Sequence, residues 1–169
     1  MIPLSTAISS GLTWRKIPRS RNYEFAVNGE VVGTLVRPSV WSCRFLAETQ
    51  DGRWTFRRGG FLASGAEIVD SAEQPIATFK ANWGGRGQLT FTDGQGFHVW
   101  SKGWWRPVWS VATQSEQPVF QLHRREKTVE IAPGVSLPAG RLVLLLMFVW
   151  YRVLQSEEDA ASVAVMVAS

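Results

Sequence analysis

A chain of 169 residues with 45% hydrophobic and 19% charged residues has the length and balance of one globular domain, able to bury its core without metal or disulfide staples. A single cysteine, Cys43, excludes an internal disulfide and fits a reducing compartment. The formal charge of +4 is unevenly placed: every Lys and Arg precedes residue 153, and Glu157, Glu158 and Asp159 lie beyond it. With those three set aside, 11 acids against 18 bases leave a body of +7, a charge that phosphate or anionic lipid would attract. A merely well-solvated basic surface is the plainer account.

Residues 1–21 read as an irregular lead-in, with Arg15, Lys16, Arg19 and Arg21 around Pro18 and no export signal. At Asn22 the pattern changes. Tyr23, Phe25 and Val27 alternate with polar or small residues, as in a strand with one buried face. Hairpin signals then recur at Asn28-Gly29, Asp51-Gly52 and Asp93-Gly94, with softer breaks near Pro38, Gly59, Ser71–Pro75, Gly84 and Ser115–Pro118. Turns near 28, 51, 73, 93 and 115 are almost evenly spaced, so the repeating unit is a hairpin of about 22 residues. Roughly ten to twelve short strands are expected between 22 and 132, with His98 and Trp100 facing away from Phe97 and Val99.

The last third changes period. Ser136 is the expected N-cap, Pro138 falls in the first turn, and a helix is expected over Leu137–Gln155. From Leu142 to Tyr151 this helix is apolar all round. Residues 156–169 read as an acidic then apolar tail, either extending the helix or loosely held. A spanning helix needs about 20 mainly apolar residues, and runs of about 10 to 14 are more often buried in protein. A barrel of more than about eight strands encloses a lumen, and a helix is roughly 10 to 12 Å across. The expected fold is therefore mainly β: a closed barrel of about twelve strands with the hydrophobic C-terminal helix inside it, and no transmembrane span.

The hairpin units GRWTFRRGGFLASGAEIVDSAEQPIATFKANW and QLTFTDGQGFHVWSKGWW, followed by LPAGRLVLLLMFVWYRVLQ, cover residues 22–155 as a domain that resembles the tubby C-terminal-like superfamily. That group includes tubby domains, phospholipid scramblases and plant LURP-one-related proteins. The resemblance implies a twelve-stranded barrel around a central helix, and a phosphoinositide headgroup held by basic side chains. No functional residue is carried over by position. The proline-rich N-terminal region, the cysteine cluster and the acidic calcium loop of the scramblases are absent from this sequence, so scramblase activity is not implied.

No constellation for catalysis stands out, and no enzyme activity, metal or cofactor is expected. Cys43 sits in WSCRF, expected to be a buried or strand-face thiol, apart from the two histidines, His98 and His123. The WGGRG stretch lacks the Lys-Ser or Lys-Thr of a P-loop and reads as a hairpin loop. Two sets of residues suggest binding. Arg53, Arg57, Arg58, Lys80 and Arg86 would form a basic patch on neighbouring hairpins. In SKGWWRPVW, Trp104 and Trp105 would insert at a lipid interface, with Lys102 and Arg106 on headgroups. The same residues would suit single-stranded nucleic acid, with bases stacked on the indoles. The competing account packs both indoles inside the barrel and makes the domain a structural or protein-interaction module. The expectation is a non-catalytic module, cytoplasmic and peripheral to an anionic membrane surface.

Overall fold

The computed structural model describes residues 3, 8, 11–39, 42–59, 65–82, 86–105 and 107–167. Twelve strands come first: β1 (Leu12–Lys16), β2 (Tyr23–Val27), β3 (Glu30–Val36), β4 (Arg44–Thr49), β5 (Gly52–Arg58), β6 (Ala66–Val69), β7 (Pro75–Ala81), β8 (Arg86–Phe91), β9 (Gly96–Lys102), β10 (Val108–Thr113), β11 (Pro118–His123) and β12 (Thr128–Ile131). One helix, α1 (Ala139–Val167), follows. Each strand pairs antiparallel with its neighbour in sequence, so the order is β1 through β12 without a crossover. The sheet curls until β1 and β12 lie side by side, a barrel closed except for a ladder between these two among the described residues.

The lumen is filled by α1. Val143 through Tyr151, with Val153 and Leu154, are buried on every side. Phe148 packs between Phe56 of β5 and Phe79 of β7, at ring-centroid distances of 5.9 and 5.2 Å. Tyr151 meets Phe45 and Phe56, both at 5.4 Å. By length and composition this helix could cross a bilayer, but its apolar run from Val143 to Leu154 is enclosed by the protein's own strands, while Val163 and Met166 further on are exposed. Withdrawing each Val, Leu, Met or Phe side chain from water contributes about 1.5–3 kcal/mol, which is why an all-round apolar helix belongs inside a sheet too wide to fill itself.

The helix boundaries differ from those expected. The Pro138 carbonyl accepts from the Arg141 and Leu142 N–H groups at 2.9 and 3.1 Å. The cap position is therefore Pro138, and Ser136 lies before the helix. At the other end α1 runs unbroken past Gln155 to Val167, because the acids at 157–159 find cationic partners on the barrel. The lead-in is also not wholly irregular. Leu12 and Trp14 alternate with Thr13 and Arg15 in β1, and both apolar side chains enter the core.

The barrel has two distinct ends. The proximal end, where α1 begins, carries the five tight turns of the 22-residue repeat. Three of these share one hydrogen-bond pattern. The Asp70 N–H bonds to the Gln74 carbonyl and the Glu73 N–H to the Asp70 carbonyl, and Phe91, Gln95 and Gly94, then Thr113, Gln117 and Glu116, repeat it. The residue before each glutamine is left-handed, with φ of +59° at Glu73, +86° at Gly94 and +63° at Glu116, as in a type I turn closed by a one-residue bulge. At Asn28-Gly29 both residues have positive φ, as a type I′ turn requires. Asp51-Gly52 needs neither. There the Thr49 Oγ1 accepts from the Asp51 and Gly52 N–H groups at 3.1 and 3.2 Å. The distal end, where α1 leaves, carries the longer connections.

Candidate binding site at the distal end

Charge divides along the barrel axis. The proximal turns 28–29, 50–51, 70–74, 92–95 and 114–117 contain no Lys or Arg and carry Asp51, Asp70, Glu73, Asp93 and Glu116. The distal connections carry Arg19, Arg21, Arg37, Arg124, Arg125 and Lys127, and Lys16, Arg58 and Lys102 end strands there. Alternating strand direction produces this separation. Acids and bases that alternate along the sequence at hairpin spacing are sorted to opposite ends.

The acids of α1 lock into this basic rim. Glu157 pairs with Arg124 of the β11–β12 turn. Glu158 pairs with Arg37, just past β3. Asp159 Oδ1 accepts from Arg58 Nη2, at the end of β5, at 2.7 Å. Arg37 is fixed further: its Nε donates to the Ser42 carbonyl at 2.8 Å, and its guanidinium lies 5.5 Å from the Phe45 ring centroid. The hydrogen bond to Asp159 raises the Arg58 pKa above its ordinary value. Burial raises the Glu157 pKa, against the opposing pull of Arg124. The tail acids therefore neutralise three bases at the mouth that the helix leaves.

Inside the mouth Arg152 is enclosed with the core. Its Nη1 donates to the Gln155 Oε1 at 2.5 Å, and Gln155 Nε2 donates to the Tyr151 hydroxyl at 2.6 Å. The guanidinium stacks 4.8 Å from the Phe79 centroid. Burial lowers its pKa from the usual arginine value and raises that of Tyr151.

The expected basic patch divides. Arg57 is engaged by Glu67 at 2.7 Å and Glu73 at 3.5 Å, and Arg53 by Glu48 at 2.5 Å. Arg86 is held by both Glu116 oxygens at 2.6 Å and lies 4.7 Å from the Trp100 centroid. Arg58 belongs to the helix latch. Lys80 is exposed on the outer face, opposite Gln88. Arg53, Arg57 and Arg86 are thus separate ion pairs, because acids on strands and turns meet them. Lys102, Trp104 and Trp105 come together at the distal end. Trp104 and Trp105 are 90% and 71% exposed with centroids 5.6 Å apart, so they do not pack inside the barrel. Arg106 and residues 83–85 of WGGRG lie outside the described residues. Cys43 is exposed just before β4 rather than buried or on the strand.

A cavity of about 530 Å³ opens beside the two indoles, at the seam where β1 meets β12. Trp14, Tyr23 and Trp150 line its apolar side, Trp105 and Pro107 one wall, and Arg15, Lys16, Arg124, Arg125 and Lys127 its rim. The Trp14 and Trp150 rings lie 4.4 Å apart. Lys16, Arg125 and Lys127 make no ion pair among the described residues. No local pattern announces this cavity, since its walls come from five separate segments. The histidines face acids and not the thiol: His98 Nε2 lies 3.5 Å from Glu116 and His123 Nε2 3.5 Å from Glu130. Among the described residues no group of three His, Cys, Asp or Glu is placed to hold a metal ion.

No family model, curated protein or solved structure matches this chain.

Proposed function

We propose that this chain is a non-catalytic, tubby-like binding module that rests its distal end on an anionic membrane surface, peripheral to the cytoplasmic leaflet. One observation carries the reading: two exposed, adjoining indoles, Trp104 and Trp105, share an end of the barrel with Lys16, Lys102, Arg125 and Lys127, which make no salt bridge among the described residues. Indoles favour the headgroup level of a bilayer, and each cation near an anionic leaflet adds about 1 kcal/mol. The acidic proximal end would face away, so the molecule carries its own orientation.

Vesicle flotation tests this reading. Binding to phosphatidylserine-rich vesicles is expected, with loss in high salt and loss in Trp104→Ala. Equal, salt-resistant binding to neutral phosphatidylcholine vesicles would overturn the electrostatic basis. Retention of single-stranded nucleic acid at low salt without vesicle binding would favour the phosphate backbone as the partner.

A further inference from the structure

The seam cavity has a chemistry of its own, and it does not depend on a membrane. Its polar groups are almost all donors. Lys16, Arg125 and Lys127 at the rim make no salt bridge among the described residues, although the Lys16 charge is felt by Glu157. The Tyr23 phenol stays protonated, its pKa raised first by burial and then by Glu157. Glu157 is the lining carboxylate, and Arg124 already engages it. The Nε1 of Trp150 is buried without a partner in the protein. The opposite wall is aromatic, and about 530 Å³ is ample for a ring-sized body.

We propose that this cavity binds an amphipathic organic anion, its flat apolar body against Trp14 and Trp105 and its carboxylate, sulfonate or phosphate on Lys16, Arg125 and Lys127. Cations select the charged end, and with the one lining carboxylate, Glu157, already engaged by Arg124, the excess of donors disfavours a cationic or donor-rich ligand. The indole walls supply stacking and favour a planar body over an inorganic ion.

The test uses the full chain in vesicle-free buffer with 8-anilino-1-naphthalenesulfonate as the probe. Saturable binding of one probe per chain is expected, with shifts confined to the Trp14, Trp105 and Trp150 indole N–H resonances. Two controls separate the parts: N-phenyl-1-naphthylamine has the body without the charge, and sulfate has the charge without the body. The naphthylamine is expected to bind at least about tenfold more weakly, because a hydrogen bond to a charged group carries a tenfold or larger share of affinity, and sulfate is expected to bind more weakly because it lacks the apolar body that the indoles cover. The exposed pair Arg125→Ala/Lys127→Ala is expected to weaken the sulfonate about tenfold or more while leaving the fold intact. Trp104 does not line the cavity, so Trp104→Ala is expected to lose vesicle binding and keep the probe. Unchanged probe affinity in the Arg125→Ala/Lys127→Ala protein would overturn the proposal. So would equal affinity for the uncharged naphthylamine. Either failure leaves the membrane reading standing, since that is read by flotation alone.

Discussion

Arg58 Nη2 donates to Asp159 Oδ1 at 2.7 Å, tying the last residue of β5 to a helical turn 101 residues later in the chain. With Glu157–Arg124 and Glu158–Arg37, this pair makes the acidic segment of α1 a counter-charge for the rim. Neutralising all three acids (E157Q/E158Q/D159N) frees three arginines at the proposed membrane face. Affinity for anionic vesicles is expected to rise, by up to about 3 kcal/mol at about 1 kcal/mol per cation. Stability is expected to fall by at most about 1 kcal/mol for the exposed Arg58–Asp159 pair, and by more for Arg37–Glu158, where Arg37 is only 11% exposed. Flotation and urea unfolding measure the two effects separately, and weaker vesicle binding by this variant would contradict the orientation proposed.

Trp14 joins β1 to the helix through Trp150, beside Leu12 in the core and the ladder to β2. Replacing it with alanine is expected to cost about 3–5 kcal/mol, the range for deleting a buried aromatic side chain. Urea unfolding followed by far-UV circular dichroism reads the loss. A cost below about 1 kcal/mol, the range of exposed sites, would mean that β1 is not seated as described.

Gly87 lies under the Phe79 ring. A Cβ there would stand 2.0 Å from Phe79 Cζ, with a second ring atom at 2.3 Å. Gly87→Ala is therefore expected to destabilise by about 1–3 kcal/mol through overpacking. The double variant with Phe79→Leu should recover part of the loss, which a double-mutant cycle measures.

Asp93 closes the proximal end. Arg141 Nη2 donates to its Oδ2 at 2.6 Å, and the Gln95 N–H donates to its Oδ1 at 2.9 Å. The Arg141 hydrogen bond and then the Gln95 N–H hold its pKa below the ordinary carboxylate value. A group whose folded pKa is depressed gives stability above its unfolded pKa and loses it as pH falls through the folded one. Thermal unfolding scans below about pH 5 should show this acid-side loss, and Asp93→Asn should flatten it. An unaltered acid limb would rule out this pair as a contributor.

The barrel and its helix were legible because both rest on strong, local patterns. Turns every 22 or so residues gave the hairpins, and ten apolar residues between Arg141 and Arg152 gave the plug. The β1 strand was missed because LTWRK offers only two alternating apolar residues before a basic cluster. The twice-repeated Glu-Gln-Pro, at Glu73–Pro75 and Glu116–Pro118, was an unused signal for the shared turn, since each of these glutamates takes the left-handed position. The separation of charge was hidden for a different reason. Acids and bases alternate along the sequence, and only strand direction sorts them. Arg57 and Arg86 looked free because Glu67 and Glu116 are 10 and 30 positions away. The seam cavity needs β1 beside β12, a closure that no local pattern encodes.

Because every strand precedes α1 in the chain, the twelve-stranded wall leaves the ribosome before the segment that fills it. Neighbour-with-neighbour pairing lets hairpins form early, as local contacts favour fast folding. Their inward aromatic side chains nevertheless have no partner until residues 143–154 are made. A nascent chain halted before Val143 would hold Phe25, Phe56 and Phe148's other neighbour, Phe79, around a void, and would be prone to stick to other chains. Completion of the carboxyl-terminal helix is thus the event that converts a soluble hazard into a finished molecule, and synthesis arrested short of it should produce aggregates rather than a smaller stable barrel.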